Sequence, residues 1–506
     1  MDLDDCPGDP VVLETWLGAS ARSYRRRPAT VLHVLDRAVQ RWGERIAIVD
    51  GDHEESYAAF ADRVERAARS LLGRGLVPGD AVAVASGNTL ELATLLFACA
   101  RAGLVMVGLN TRLAPVQWAY MVEHSQAQLC LAAPGFDLDG AQDLGAALVT
   151  AAPTAWTCPA PDPASTYAVV YTSGTTGRPK ASQVVHRASV HSGMSYQRVL
   201  QLGPQDVTAV LFPMYYISAM HAHVLPAMLA GATCVLVDTT SPTAYVELLR
   251  TRAVTWAYAV PSWWRLCLRV PGFALPALTR LAAGGSPFPA DLVGALRAAL
   301  PEVRLYDVYG LSETHSPGCI LTDAQFGGHA GTVGRPLDCM EAAVRSEDGA
   351  GLPPGEPGEL WLRGSLVTTG YRHDQAATEA AIVDGWFDTG DIARICEHGF
   401  VTILDRSKDM INRGGTKIFS AEVEELLRSH PAIEDAAVVG VPDSLAGDAV
   451  AAYLVVNAPL TATEVRAWVR QGMADYAAPK RVEFLDELPR NAVGKTDKQS
   501  LRDRTA

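Results

Sequence analysis

No apolar run opens this 506-residue sequence, no basic excess marks it, and none of its nine cysteines stands in a C-x-x-C pair. Each absence removes a class of protein. The N-terminus, MDLDDCPGDP, is acidic and does not read as a secretory leader. The formal charge is 43 − 56 = −13, against the basic surplus of a nucleic-acid binder. An odd cysteine count without paired spacing argues against a disulfide scaffold or a structural zinc site, and fits a reducing cytoplasm. No short-period repeat is present, so a solenoid is not expected. Val207 to Val237 contains no Asp, Glu, Lys or Arg, but Pro213, His221, His223, Pro226 and Gly231 interrupt it. It reads as strand, loop, helix and strand within a buried sheet rather than a membrane span.

What is present is an alternation. Short apolar runs at 81–86, 104–109, 167–172, 207–212, 232–237, 254–260, 278–285 and 303–310 read as strands. Helical runs such as ELATLLFACARA (91–102) separate them. That order predicts α/β layers with largely parallel sheets. From about 330 to 404 the chain turns rich in Gly, Pro and Thr, which predicts a small barrel or antiparallel sheet. After about 405 an α+β unit is expected. Ser420 is placed to cap a helix over 421–430, with Glu422 and Glu424 in its first turn. Strands follow at 435–441 and 449–456, and Thr461 with Glu464 has the capping-box spacing for the next helix.

The most informative run is YTSGTTGRPK, 171–180. Thr172, Ser173, Thr175 and Thr176 alternate with Gly174 and Gly177, and Lys180 closes it. Glycines let backbone N–H groups approach phosphate oxygens, while hydroxyls and a lysine add donors. It is not a Walker A loop, because G-x-x-x-x-G-K-[ST] cannot be aligned on it.

This string resembles the signature of the adenylate-forming superfamily, which includes acyl- and aryl-CoA synthetases, luciferase and peptide-synthetase adenylation domains. Further similar blocks run in family order: 56–84, ARAGLVMVGLN (100–110), GGSPFP (284–289), YGLSET (309–314), GTVGRP (331–336), GELWLRG (358–364), GWFDTGD (385–391), DRSKDMINRGGTKI (405–418) and PRNAVGK (489–495). Several motifs in order are more specific than one.

The resemblance implies a large N-terminal domain, 1–404, holding two α/β sheets and a small β-barrel. A hinge at 405–408 would lead to a smaller, mobile α+β domain, 409–506. It implies that ATP and a carboxylic acid give an acyl-adenylate and pyrophosphate, and that coenzyme A then takes the acyl group. By motif position, Glu313 would bind Mg²⁺, with Ser312 and the 172–180 run on phosphate. Gly284, Gly285, Ser286, Tyr309 and Gly310 resemble the adenine pocket. Asp391 would accept from the ribose hydroxyls, beside Arg406. Lys495 would bridge the carboxylate and the α-phosphate. Lys408 matches the hinge about which the small domain turns, exchanging the Lys495 loop for Gly414-Gly415. Read alone, a late lysine or an isolated glutamate is a solvated surface charge; the motif reverses that reading.

One departure stands out. FPMYYISAMHAH (212–223) places Tyr216 where related CoA ligases carry a histidine. The exchange keeps a polar-tipped ring but loses a group titrating near neutrality. Tyr216, Ile217, Ser218, Ala219 and Ala222 would line the acid pocket, with room that favours an aryl or arylacrylic acid over a long fatty acid. Trp263 and Trp264 are candidates for its wall, or for the core. No Asp stands where amino-acid-activating domains hold the amine. Arg25–Arg27 could touch coenzyme A phosphates or form a solvated cluster. Because of Tyr216, a carrier protein or an amine stays open as acceptor. So does activation of another oxyanion, such as nitrite, in diazo formation on an aryl amine. A non-catalytic relative would be expected to lose Lys180, Glu313, Asp391 or Lys495, and all four are present.

Overall fold

The computed structural model describes residues 11–149, 161–172, 179–413, 416–443, 447–490 and 496–504. They fall into two compact units. The first holds the residues up to Ala342, with Trp361–Asp388 and Gly399–Val401; the second holds Ala343–Leu360, Thr389–His398 and those from Thr402 on.

Two sheets build the first unit. A six-stranded sheet runs in the order Lys180–Val185, Thr166–Thr172, Val105–Gly108, Ala81–Ala85, Ala127–Ala132, Gln142–Asp143. Its pairings are parallel except at the edge, where Lys180–Val185 lies antiparallel to Thr166–Thr172. A nine-stranded sheet has a parallel centre: Arg304–Tyr309, Arg280–Gly284, Trp256–Ala259, Val207–Val210, Thr233–Leu236 and Ile46–Asp50. Antiparallel strands finish both of its edges. The apolar runs become strands for the anticipated reason: Ala81–Ala85 and Arg280–Gly284 are buried at every residue, as a parallel strand covered on both faces must be. The helix Leu90–Ala102, which joins Ala81–Ala85 to Val105–Gly108, starts where Thr89 accepts from the Leu92 N–H. It ends at Gly103 in the left-handed region.

The charge-free stretch is strand Val207–Val210, a short helix Ile217–Ala219, a π-helical turn Met220–Val224, helix Leu225–Ala230 and strand Thr233–Leu236. Among the described residues, no helix is long and apolar enough to cross a membrane.

The Gly/Pro/Thr-rich region folds as a five-stranded sheet of Met340–Arg345, Gly358–Gly364, Ile382–Val383, Trp386–Ile395 and Val401–Arg406. The chain passes from one unit to the other within this region, the last time at Val401/Thr402, ahead of Asp405–Lys408.

The second unit carries strands Thr416–Ile418, Ile411–Arg413, Gly447–Val456 and Ile433–Asp443 in that order, with Arg481–Phe484 parallel to Gly447–Val456. Helices Ser420–Arg428 and Ala462–Gly472 bring Val423, Leu427, Val465 and Val469 onto Val438, Val450 and Leu454. Thr461 and Glu464 form the expected capping box. Ser420 does not cap its helix: Phe419 holds that position, and Ser420 is the first helical residue. Buried Asp405 does the work instead, accepting from the Ser420 N–H and, at 3.0 Å, from its hydroxyl. Lys498 Nζ adds bonds to Ser420 Oγ (2.6 Å) and Glu424 Oε1 (2.8 Å). Glu424 points inward, accepting from the Val438 N–H.

Candidate functional site

Thr172 and Lys180 face each other in register across the antiparallel edge of the six-stranded sheet. The two ends of the glycine-rich run are thus tied together. Ser173, Gly174, Thr175, Thr176 and Gly177 lie outside the described residues, as do Gly414, Gly415 and Lys495.

Glu313 arrives from the nine-stranded sheet. It sits in the short turn Ser312–Thr314 just past strand Arg304–Tyr309, and is only 7% exposed. Its Oε1 accepts from the Tyr371 hydroxyl at 3.0 Å and from Thr172 Oγ1 at 3.4 Å. The Lys180 ammonium stands 5.0 Å from the centre of the Tyr371 ring, within reach of its negative face. Tyr371 therefore links the acidic Glu313 to the cationic Lys180, and Glu313 in turn takes the Thr172 hydroxyl. Burial, then the charge of Glu313, pushes its phenol above the ordinary range, so it stays a donor. It stands in the TTGY turn, which sequence composition marks only as a turn.

Gly284 and Tyr309 end neighbouring parallel strands, and Gly285, Ser286 and Gly310 follow them. This is the carboxyl edge of the sheet, where open α/β folds take ligands. Position 284 demands glycine: a Cβ there would lie 2.3 Å from the Val308 carbonyl oxygen and 2.6 Å from the Tyr258 hydroxyl. Asp307, two residues before Tyr309, escaped the sequence reading. It is a buried carboxyl whose pKa burial pushes up to about 8, against a backbone hydrogen bond at Val308 that pulls it down. A lone acid in an apolar strand run was the available signal.

Tyr216 immediately precedes the helix Ile217–Ala219, and its hydroxyl accepts from Asn110 Nδ2 at 2.9 Å. A cavity beneath it is lined by Met106, Gly108, Val169, Ile217, Met220 and His221. Ser218 and Ala222 do not line this cavity. His221 and His223 are fully buried, and burial pulls both down to about 3. Neither replaces a group that titrates near neutrality. Trp264 belongs to the core: its ring N–H donates to the Ala282 carbonyl at 2.9 Å, and Trp263 packs against the same cluster. Arg27 is bound to Glu14 by two bonds of 3.1 and 2.7 Å.

In the second unit, Asp391 is 3% exposed and meets Arg406 Nε at 2.7 Å. Lys408 is exposed, and its carbonyl accepts from Arg502 at 3.4 Å.

Among the described residues no three His, Cys, Asp or Glu side chains gather as a metal cage. One buried carboxylate is nevertheless what Mg²⁺ requires when phosphate oxygens and water complete its shell, and Glu313 fits that role.

Residues 35–372 match the AMP-binding enzyme family and residues 422–495 the AMP-binding enzyme C-terminal domain. The chain belongs to this family, the adenylate-forming enzymes. It is 32% identical to a 2-succinylbenzoate–CoA ligase of Bacillus licheniformis, over 90% of this chain and 96% of that one. It is 32% identical to a feruloyl-CoA synthase of an Amycolatopsis species, over 90% and 95%. The o-succinylbenzoate CoA synthetase of Bacillus subtilis, solved with its acyl-adenylate intermediate, superposes with a TM-score of 0.86 at 29% identity, over 93% of this chain and 97% of that one. An amide bond synthetase from Marinactinospora thermotolerans superposes with a TM-score of 0.84 at 26% identity, over 95% and 100%.

Proposed function

We propose that the protein activates a carboxylic acid with ATP and passes the acyl group to coenzyme A. The observation that carries this is Glu313, held by Tyr371 and Thr172 where the paired ends of the glycine-rich run meet the second sheet. The acid is of the aryl or arylacrylic class, as in the succinylbenzoate and feruloyl relatives. In the first half-reaction a carboxylate oxygen bonds to the α-phosphorus and the bond to the pyrophosphate oxygen breaks. Both partners are anions, so the site must supply cations and N–H donors. Mg²⁺ supplies charge neutralisation between phosphates, and Glu313 would hold it. Thr172, Lys180, Ser312 and the segment 173–177 would bind phosphate. Gly284–Ser286, Tyr309 and Gly310 would take adenine, and Asp391 with Arg406 the ribose. Lys495 would neutralise the reacting oxygens. Tyr216, Ile217, Ser218 and Ala222 would border the acid.

In the second half-reaction the thiol sulfur bonds to the acyl carbon and AMP leaves. We assign the change between halves to a turn about Lys408, with 1–404 and 409–506 as the bodies that move. The cysteine usage suits a reducing cytoplasm.

Incubation with ATP, Mg²⁺ and 2-succinylbenzoate, ferulate, indoleacetate or a long fatty acid, with and without coenzyme A, tests this by product mass. An acyl-CoA is expected from one of the aromatic acids. An adenylate that coenzyme A never converts would refute the acceptor. Tyr216 and the amide bond synthetase's likeness keep one second reading, transfer to an amine or a carrier protein. It predicts conversion only when that acceptor is added.

A further inference from the structure

The end of strand Val105–Gly108 and the segment after it make three separate provisions for Tyr215 and Tyr216. Gly108 clears space: a Cβ there would stand 2.7 Å from Tyr215 Cβ and 3.0 Å from its Cα. Thr111 Oγ1 donates to the Tyr215 hydroxyl over 3.4 Å. Asn110 Nδ2 donates to the Tyr216 hydroxyl over 2.9 Å.

Asn110 is itself clamped. Its Oδ1 accepts the Arg112 N–H at 3.0 Å, and its carbonyl accepts the Trp118 ring N–H at 2.8 Å. The first bond decides which end of the amide meets the tyrosine. An amide oxygen engaged by a backbone N–H leaves the NH₂ group to face the phenol. The phenol oxygen is then an acceptor from Asn110, and its own proton is left for another partner. Tyr216 is half-buried, and the Tyr215 ring stands edge to face with it at 4.6 Å.

We propose that Asn110 is a positioning residue that sets the polarity of Tyr216, holding the phenol as a hydrogen-bond donor to the carboxylate of the acid substrate. This rests on the acid-activating reading above. The chemistry suits the exchange at this position. A carboxylate takes a charge-assisted bond from any donor that keeps its proton. A histidine changes charge near neutrality and, once neutral, donates from only one of its two nitrogens, whereas a phenol stays neutral and carries one O–H throughout.

The test is Asn110→Asp. It preserves size and the acceptor for the Arg112 N–H, but turns the group facing Tyr216 from donor to acceptor. The phenol proton would then swing toward the new carboxylate and away from the acid. Acid-dependent ATP–pyrophosphate exchange is measured for wild type, Asn110→Asp, Tyr216→Phe and the double variant, with the acid best activated in the panel above. Each single change should raise the KM for the acid roughly ten-fold while leaving that for ATP about unchanged. The double variant should be no worse than Tyr216→Phe alone. An equal penalty from Asn110→Asp with and without the phenol hydroxyl would assign the effect to charge or folding and overturn the proposal. So would an unchanged acid KM in Tyr216→Phe, a readout that needs no change at Asn110. Wild type without any acid-dependent exchange would overturn the acid-activating reading, and this inference with it. Exchange in wild type with additive variants overturns this inference alone.

Discussion

Tyr371 shows how much one side chain can organise. It gives a hydrogen bond to Glu313 and a ring face to Lys180. Tyr371→Phe deletes the bond and keeps the face. The expected result is a raised Mg²⁺ requirement with a several-fold loss of adenylation, read from exchange rates across a Mg²⁺ titration. Glu313→Gln should cost far more, two orders of magnitude or so, if it holds the ion. Asp307 gives a prediction in pH. Its folded pKa is about 8, above the ordinary value near 4 of an unfolded chain. Between those values the folded state keeps a proton that the unfolded state has released. Stability therefore falls as pH rises through that window. Asp307→Asn removes the effect, and should raise the melting temperature more at pH 8 than at pH 5.

Elements carry the next set of consequences. The Gly284 turn packs against the Val308 carbonyl and the Tyr258 hydroxyl, neither of which can retreat cheaply. Gly284→Ala should cost about 1–3 kcal/mol in denaturant unfolding, the usual range for overpacking. An unchanged midpoint would contradict the close approach. Helix Ser420–Arg428 begins on Asp405 rather than on a cap of its own. Asp405→Ala should therefore destabilise it by about 1 kcal/mol, as loss of a cap does. Amide exchange at its first turn would speed up, while Ser420→Ala, which leaves the backbone bond to Asp405, should do less. The sequence misplaces this cap because Ser420 has the right residue type and the acceptor is fifteen positions upstream. Local spacing does not show a partner delivered by a strand.

At the scale of the whole molecule, acid lability is the expected outcome. His186, His191, His221 and His223 are each drawn by burial to about 3, below the ordinary 6.5. An unfolded chain would bind those protons between the two values and the folded chain would not. Stability is therefore lost as pH falls from about 6.5 toward 3. In the overlap with the Asp307 window these four, joined by His315, outnumber the carboxyls that burial raises, Asp307, Asp405 and Glu422, so the acid loss wins. Melting temperatures from pH 6.5 down to 4.5 should fall steadily; a flat profile would contradict the buried neutral histidines. The proposed two-body cycle has its own test. Lys408→Pro should impair thioester formation more than adenylation, and Lys495→Ala the reverse. Equal losses in both half-reactions would remove the hinge assignment.

The parallel sheets were legible because strands buried on both faces are largely apolar: 81–85 is so throughout, and 280–284 is so after Arg280. The family was legible because its motifs are short, ordered and made of glycine, hydroxyl and charge in fixed spacing. Both are properties of neighbours along the chain, and the sequence by itself determined them. Tertiary structure alone decided which distant groups meet. It brought Tyr371 to Glu313, Asp405 to Ser420 and Asn110 to Tyr216, and it put Trp264 in the core. The physical reason is common to these cases. Hydrogen-bond partners and burial depend on which strands become neighbours, and strand order here departs from chain order in both sheets of the first unit.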